Sequence, residues 1–292
     1  MACSGWHSRY GLMAYGSSLD QVGILGNDLD DVSLAFHLAA GEDPLDPTTF
    51  GASGGAAAAL PDLTGVRIGL VTELMSLEGA EDGFSEEALA EVRRAAAMLA
   101  ERGAQIVELS VPSVVHAPAC YYVAATAEAS SNLARFDGTL FGGRVGSLGD
   151  GQEAVMSRVR DELFGPEVKR RLLFGSLALS DGYYDRYYGQ ALKVRRLISD
   201  QLQAALQNVD MFLLPSAASV AFHLGASQEE PFGARFGGHS YYSDMATSLA
   251  NLAGLPALSV PFGAVGGLPL GVQLMGAAQA DRSVLALAGH LV

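Results

Sequence analysis

The sequence predicts an α/β fold, and three observations carry that expectation. Residues 66–71 (Val-Arg-Ile-Gly-Leu-Val) and 106–109 (Ile-Val-Glu-Leu) read as short strands rich in β-branched residues. The segment between them opens at Ser85, runs with helical spacing to about Arg102 and ends at Gly103. Strand, helix and strand in this order point to a βαβ unit in a largely parallel sheet. Residues 210–215, 257–261 and 270–276 add three apolar strands, the last two joined by a glycine-rich turn.

Length and composition are consistent with that class. A chain of 292 residues with 49% hydrophobic content can bury a sizeable core, and we expect a single domain over 1–292. No run approaches about 18 uninterrupted apolar residues, and the start lacks a basic segment leading into an apolar one. The expectation is therefore a cytoplasmic chain with no membrane span. A formal charge of -14 argues that the chain alone does not grip a nucleic-acid backbone. Cys3 and Cys120 lie far apart without a CxxC partner, which reads as two reduced thiols and no metal site.

Taken in order, residues 28–40 place Leu29, Val32, Leu34, Phe36 and Leu38 close to helical spacing, with Asn27 or Asp28 as cap and Gly41 as stop. His37 on that helix reads as a packed or solvated histidine, since no second ligand sits four residues away. Residues 51–63 form a proline-, glycine- and alanine-rich connection, read as a surface loop. A phosphate cradle there would need a Gly-Lys-Ser/Thr ending and a preceding buried strand. Residues 119–138 read as a helix of small residues carrying Tyr121, Glu128 and Arg135, and 142–151, with five glycines, as a loop. A second helical region begins at 164, and a long amphipathic helix runs from Gly189 to Leu206. Asp244 opens a helix that ends at Gly254, and Asp281 is expected to cap a final one.

Candidate chemistry is sparse. Ser17 and Ser18, between glycine and an apolar residue, read either as a nucleophile on a tight turn or as a plain turn before a helix, and no base or orienting group adjoins them. Lys169 and Lys193 are the only lysines, each in a basic helical context unsuited to a neutral lysine base. Arg171 adjoins an apolar run and reads as a structural ion-pair partner or as a ligand clamp.

Five blocks go further: 8–12 (Ser-Arg-Tyr-Gly-Leu) with 16–21 (Gly-Ser-Ser-Leu-Asp-Gln), 128–135 (Glu-Ala-Ser-Ser-Asn-Leu-Ala-Arg), 168–171 (Val-Lys-Arg-Arg), 182–185 (Gly-Tyr-Tyr-Asp) and 251–256 (Asn-Leu-Ala-Gly-Leu-Pro). Together they resemble the amidase signature family, and the middle three resemble the A subunits of tRNA-dependent amidotransferases within it. The resemblance covers nearly the whole chain. It implies a mixed central sheet covered by helices on both faces, here the C-terminal two-thirds of the family fold.

The resemblance also implies a glutaminase. Glutamine's side-chain amide is cleaved through a serine acyl-enzyme, and the ammonia passes to a B subunit that amidates Glu-tRNA(Gln) or Asp-tRNA(Asn) using ATP and Mg. A small C subunit completes a heterotrimer, and tRNA is held mainly by the B subunit. The lysine, cis-serine and nucleophilic serine of the family lie upstream of the 8–12 block, so no catalytic residue is assigned and the chain is expected to be N-terminally truncated and inactive alone. By similarity, Arg171 binds glutamine's α-carboxylate, Asp244 its α-ammonium, and Tyr121 lines the pocket. No cofactor or metal is expected on this chain. The rival readings are a general small-amide hydrolase and a non-catalytic binding subunit. The chain departs from the family at 214–217 (Leu-Pro-Ser-Ala in place of a usual Gly-Pro-Thr) and carries extra residues at 237–242.

Overall fold

A computed structural model describes residues 5–49, 60, 62–77, 83–147, 149, 151–221 and 244–292. The predicted loop at 51–63 lies outside them apart from Leu60, Asp62 and Leu63. The chain divides into two compact units, one formed by residues 1–10, 21–118 and 195–292 and the other by 11–20 and 119–194.

The first unit holds a five-stranded sheet in the order β2-β1-β3-β5-β4. Strand β1 (Arg67–Val71) pairs in parallel with β2 (Gln105–Leu109) and with β3 (Met211–Pro215). Strand β5 (Leu268–Gly276) runs antiparallel to both β3 and β4 (Ala257–Val265). The sheet is therefore mixed, and its parallel part is the predicted βαβ unit. Between β1 and β2 lie the short helix α2 (Thr72–Met75) and the crossover helix α3 (Glu86–Glu101). The Ser85 side chain accepts from the Ala88 amide to cap α3, and Gly103 at φ 101° lets the chain leave it in a conformation that L side chains rarely adopt.

Alternation along the strands sorts the core. Ile68, Leu70, Met211, Leu213, Val260 and Leu274 share one face with Val92, Ala95 and Leu99 of α3 and with Val284 and Leu285 of α9 (Asp281–Ala288). Helix α1 (Leu29–Ala39) adds Val32 and Phe36, the latter packed 5.7 Å from the Trp6 ring. Phe212, Leu214 and Met275 point to the other face and are equally buried. There Gln273 donates to the Ala246 carbonyl of α8 (Met245–Ala253) at 3.2 Å, so helices cover both faces. Burying each such side chain contributes about 1.5–3 kcal/mol.

The second unit is helical. It contains most of α4 (Ala117–Asn132), α5 (Gln152–Leu163), α6 (Pro166–Leu179) and the start of α7 (Tyr188–Ala205). Helix α4 is rich in alanine and serine, and Gly175 of α6 meets it so closely that a Cβ there would lie 2.0 Å from the Thr126 carbonyl oxygen. The Ser130 and Ser176 hydroxyls bond across the same contact at 2.9 Å.

Three local expectations are corrected. Helix α4 stops at Asn132, and Leu133–Arg135 tighten into a 3₁₀ turn, so the predicted helix to 138 is too long. Helix α5 was not expected, although Val155 and Val159, four residues apart, mark its buried side. Asp281 does not cap α9: Ala280 occupies that position and Asp281, 1% exposed, is the first helical residue.

Candidate functional site

The polar centre of the second unit is built on the 15–20 turn. The Gly16 carbonyl accepts from the amides of Leu19 at 2.7 Å and Asp20 at 2.8 Å. The Asp20 carboxylate in turn accepts from the amides of Tyr15 at 2.9 Å and Gly16 at 3.1 Å. A turn whose amides are satisfied internally has a defined shape of its own.

That turn is fastened to α4 by two side chains one helical turn apart. The Glu128 carboxylate accepts from the Ser18 amide at 2.9 Å and from the Ser18 hydroxyl at 2.5 Å. The Asn132 amide group donates to the Tyr15 carbonyl at 3.0 Å and to the Ser17 hydroxyl at 2.9 Å. Both serines that the sequence offered as possible nucleophiles thus hold the turn against α4.

The anchored turn carries Tyr15 to Arg171. Arg171 Nη1 donates to the Tyr15 hydroxyl at 2.9 Å, and its guanidinium carbon lies 5.8 Å from the Tyr15 ring centroid. Its Nε donates to Glu167 Oε1 at 2.7 Å from the preceding turn of α6. Glu167 also accepts from Arg170, from Nε at 2.7 Å and from Nη2 at 2.6 Å. Arg170 Nη1 donates to the Tyr122 hydroxyl at 2.6 Å, and the Tyr122 ring meets Phe174 edge-on at 5.1 Å.

Electrostatics follow from those contacts. Hydrogen bonding from Arg170 holds the Glu167 carboxyl below its ordinary pKa. Burial works against the Arg171 charge, but its bonds to Glu167 and Tyr15 outweigh it and leave the guanidinium above its ordinary value. Burial pushes the Tyr122 phenol up. Two guanidinium groups share one carboxylate, so the cluster has a net positive charge and suits an anion. Of the five N–H donors of Arg171, two are used, leaving three for an acceptor in planar geometry.

The other predicted site residues are placed as follows. Tyr121 is half-buried on α4, next to Tyr122. Asp244 belongs to the first unit, where it is exposed at the N-terminus of α8, its carbonyl accepts from the Ser248 amide at 2.8 Å, and its side chain makes no capping bond. Residues 222–243, including the extra stretch at 237–242, lie outside the described residues. Lys169 is paired with Asp161 at 2.7 Å and Lys193 is exposed on α7. His37 Nδ1 sits 2.6 Å from the Ser33 carbonyl on its own helix. Among the described residues no group of three His, Cys, Asp or Glu could hold a metal ion, and no helix is long and apolar enough to cross a membrane.

Sequence reasoning missed Tyr15, Tyr122 and Glu167. The Glu167/Arg171 pair was visible as a carboxylate four residues before a guanidinium on one helix. No spacing rule links Tyr15 to Arg171, because the turn that joins them is 156 residues away in sequence.

Comparison with known proteins decides the family. The family model described as Amidase matches residues 3–285. The chain belongs to the amidase family. Among curated relatives, this amidase-family chain is 44% identical to the A subunit of glutamyl-tRNA(Gln) amidotransferase from Salinispora tropica, over 98% of its own length and 58% of the relative's. It is 42% identical to the protein of the same name from Symbiobacterium thermophilum, over 97% of its own length and 56% of the relative's. The crystal structure of the corresponding Thermotoga maritima protein superposes with a TM-score of 0.74 at 32% identity, covering 99% of this chain and 56% of that one. The amidase-family chain therefore spans a little over half the length of these relatives, less than the two-thirds expected. Its mixed sheet with helices on both faces is the expected family fold.

Proposed function

We propose that the chain acts as the A-type, glutamine-hydrolysing component of a tRNA-dependent amidotransferase. In this reading it supplies ammonia for conversion of Glu-tRNA(Gln) to Gln-tRNA(Gln), and of Asp-tRNA(Asn) to Asn-tRNA(Asn), in the cytoplasm. Its partners are a B subunit, which uses ATP and Mg and holds the tRNA, and a small C subunit. The observation that carries the reading is Arg171, fixed between Glu167 and Tyr15 with three N–H donors remaining. Identity above 40% to amidotransferase A subunits favours glutamine over other small amides.

Recognition is the part of the chemistry these residues supply. Arg171 takes the α-carboxylate of glutamine, where each charge-assisted bond contributes about 1.5–3 kcal/mol. Tyr121, half-buried on α4 of the same unit, lines the pocket. A serine acyl-enzyme needs a base to accept the hydroxyl proton, and a neutral lysine is the family's choice. Lys169, held by Asp161, and exposed Lys193 do not suit that task. The 292 residues by themselves are accordingly proposed to bind glutamine without hydrolysing it.

The test is ammonia release from glutamine by the purified chain, alone and with B and C subunits, beside calorimetry of glutamine binding. The expected result is binding without turnover by the chain alone, and loss of binding in Arg171→Gln. Turnover by the chain alone would locate a working nucleophile and base within these residues. Stable association with the B subunit but no glutamine binding would establish the rival reading, a non-catalytic binding subunit.

A further inference from the structure

Tyr15 has a hydroxyl whose bonding is half used. A phenol oxygen can accept hydrogen bonds and also donates its own proton. Here it accepts from Arg171 Nη1 at 2.9 Å, and the hydroxyl proton has no acceptor among the described residues. A neutral donor held against a guanidinium, in a cluster of net positive charge, presents N–H and O–H groups side by side. The group that satisfies both at once is a carboxylate, with two oxygens and about four acceptor sites.

The position of that hydroxyl is fixed from four directions. Asp20 holds the Tyr15 amide, Asn132 holds the Tyr15 carbonyl, Glu128 holds the next turn residues through Ser18, and Glu167 holds Arg171. Such support is what a recognition group needs if its bond is to be formed without further ordering of the chain. It also gives the 15–20 turn a function: its serines fasten it, and its tyrosine faces the arginine.

We propose that Tyr15 is a second carboxylate-binding residue, donating its O–H to the α-carboxylate that Arg171 binds. The inference rests on the assignment of Arg171 made under Proposed function. Tyr15 then acts as a specificity residue, because a substrate in which the carboxylate is replaced by a neutral amide cannot accept the phenolic proton in a charge-assisted bond.

Calorimetry on the full chain tests this, with glutamine and with its α-carboxamide analogue as the two ligands. Tyr15→Phe is expected to weaken glutamine about 10- to 100-fold, the loss of one charge-assisted bond, and to weaken the analogue, whose neutral carbonyl accepts only an ordinary bond, by about 10-fold or less. Arg171→Gln weakening glutamine while Tyr15→Phe does not, or Tyr15→Phe weakening both ligands equally, overturns the role of Tyr15 and leaves that of Arg171 standing. No glutamine binding by the unsubstituted chain, or undiminished binding by Arg171→Gln, overturns the Arg171 assignment itself. If Tyr15→Phe fails to fold, Tyr15→His replaces the hydroxyl by a ring donor. It is expected to weaken glutamine selectively, and equal loss of both ligands counts against the proposal.

Discussion

The two units reach stability by opposite means. In the first, large side chains from both sheet faces fill the interior, and Phe36, Ile68, Leu99, Phe212, Leu213 and Leu214 are each under 2% exposed. In the second, the contact of α4 with α6 is made by Gly175 and small residues, and the backbone of one helix touches the other. Space not taken by apolar side chains is given to the cluster of Tyr15, Tyr122, Glu167, Arg170 and Arg171. The second unit, under a third of the chain, carries half of its 18 basic residues. A side-chain core tolerates changes of shape at a cost set by lost volume, whereas a backbone contact accepts an added atom only if one helix shifts.

Emptying the first kind of core should have the largest effect. Phe212→Ala removes a fully buried ring from β3 and is expected to destabilise the first unit by about 3–5 kcal/mol. Trp6, the only tryptophan, lies in that unit, so its fluorescence during urea unfolding reads the change. A midpoint unchanged by the substitution would mean that the sheet's second face is not a packed core.

Filling the second kind of contact comes next. The Cβ of Gly175→Ala would lie 2.0 Å from the Thr126 carbonyl oxygen, which a shift of one helix must relieve. The expected cost is about 1–3 kcal/mol, the range for overpacking. Amide exchange should rise in α4 and α6, and protection in β1 and β3 should hold. Equal loss of protection in the strands would show that the two units do not differ in the way argued above.

What could be read from the sequence divides along the same line. The strands, α3 and α7 are legible because burial imposes a period of 2 or 3.6 on apolar residues, as at Ile68 and Leu70 or Val92 and Leu99. Helix α5 escaped because its buried side rests on only Val155 and Val159 after a glycine-rich stretch. In α4 alanine recurs all round the helix, so periodicity cannot say which side meets Gly175. Arg171 was reached through resemblance, and its partners Glu167 and Tyr15 were not. One is a local helical pair, and the other depends on a turn brought in from 156 residues away. Burial leaves a pattern in sequence, whereas a hydrogen bond between a helix and a distant turn does not.

The smallest expected effect concerns acid, and it distinguishes the units by pH. Asp46 in the first unit is held at about 2, against an ordinary 3.8, by the Thr48 hydroxyl and then by the amides of Arg9 and Thr48. Glu167 in the second lies below its ordinary 4.5, first through its bond with Arg170. A carboxyl whose folded pKa is depressed contributes stability above its unfolded value and loses it as pH falls through the folded one. The Glu167 contribution should therefore begin to fade just below 4.5, and that of Asp46 between 3.8 and about 2. Glu167→Gln is expected to flatten the acid limb of stability in the second unit alone, followed by amide exchange in α6, and Asp46→Asn to flatten the Trp6-reported limb at lower pH. The Glu167 effect stays small because its side chain is 53% exposed and solvent screens the pair. An acid limb in α6 identical in Glu167→Gln and the unsubstituted chain would mean that the Glu167 carboxylate adds nothing measurable to the stability of the second unit.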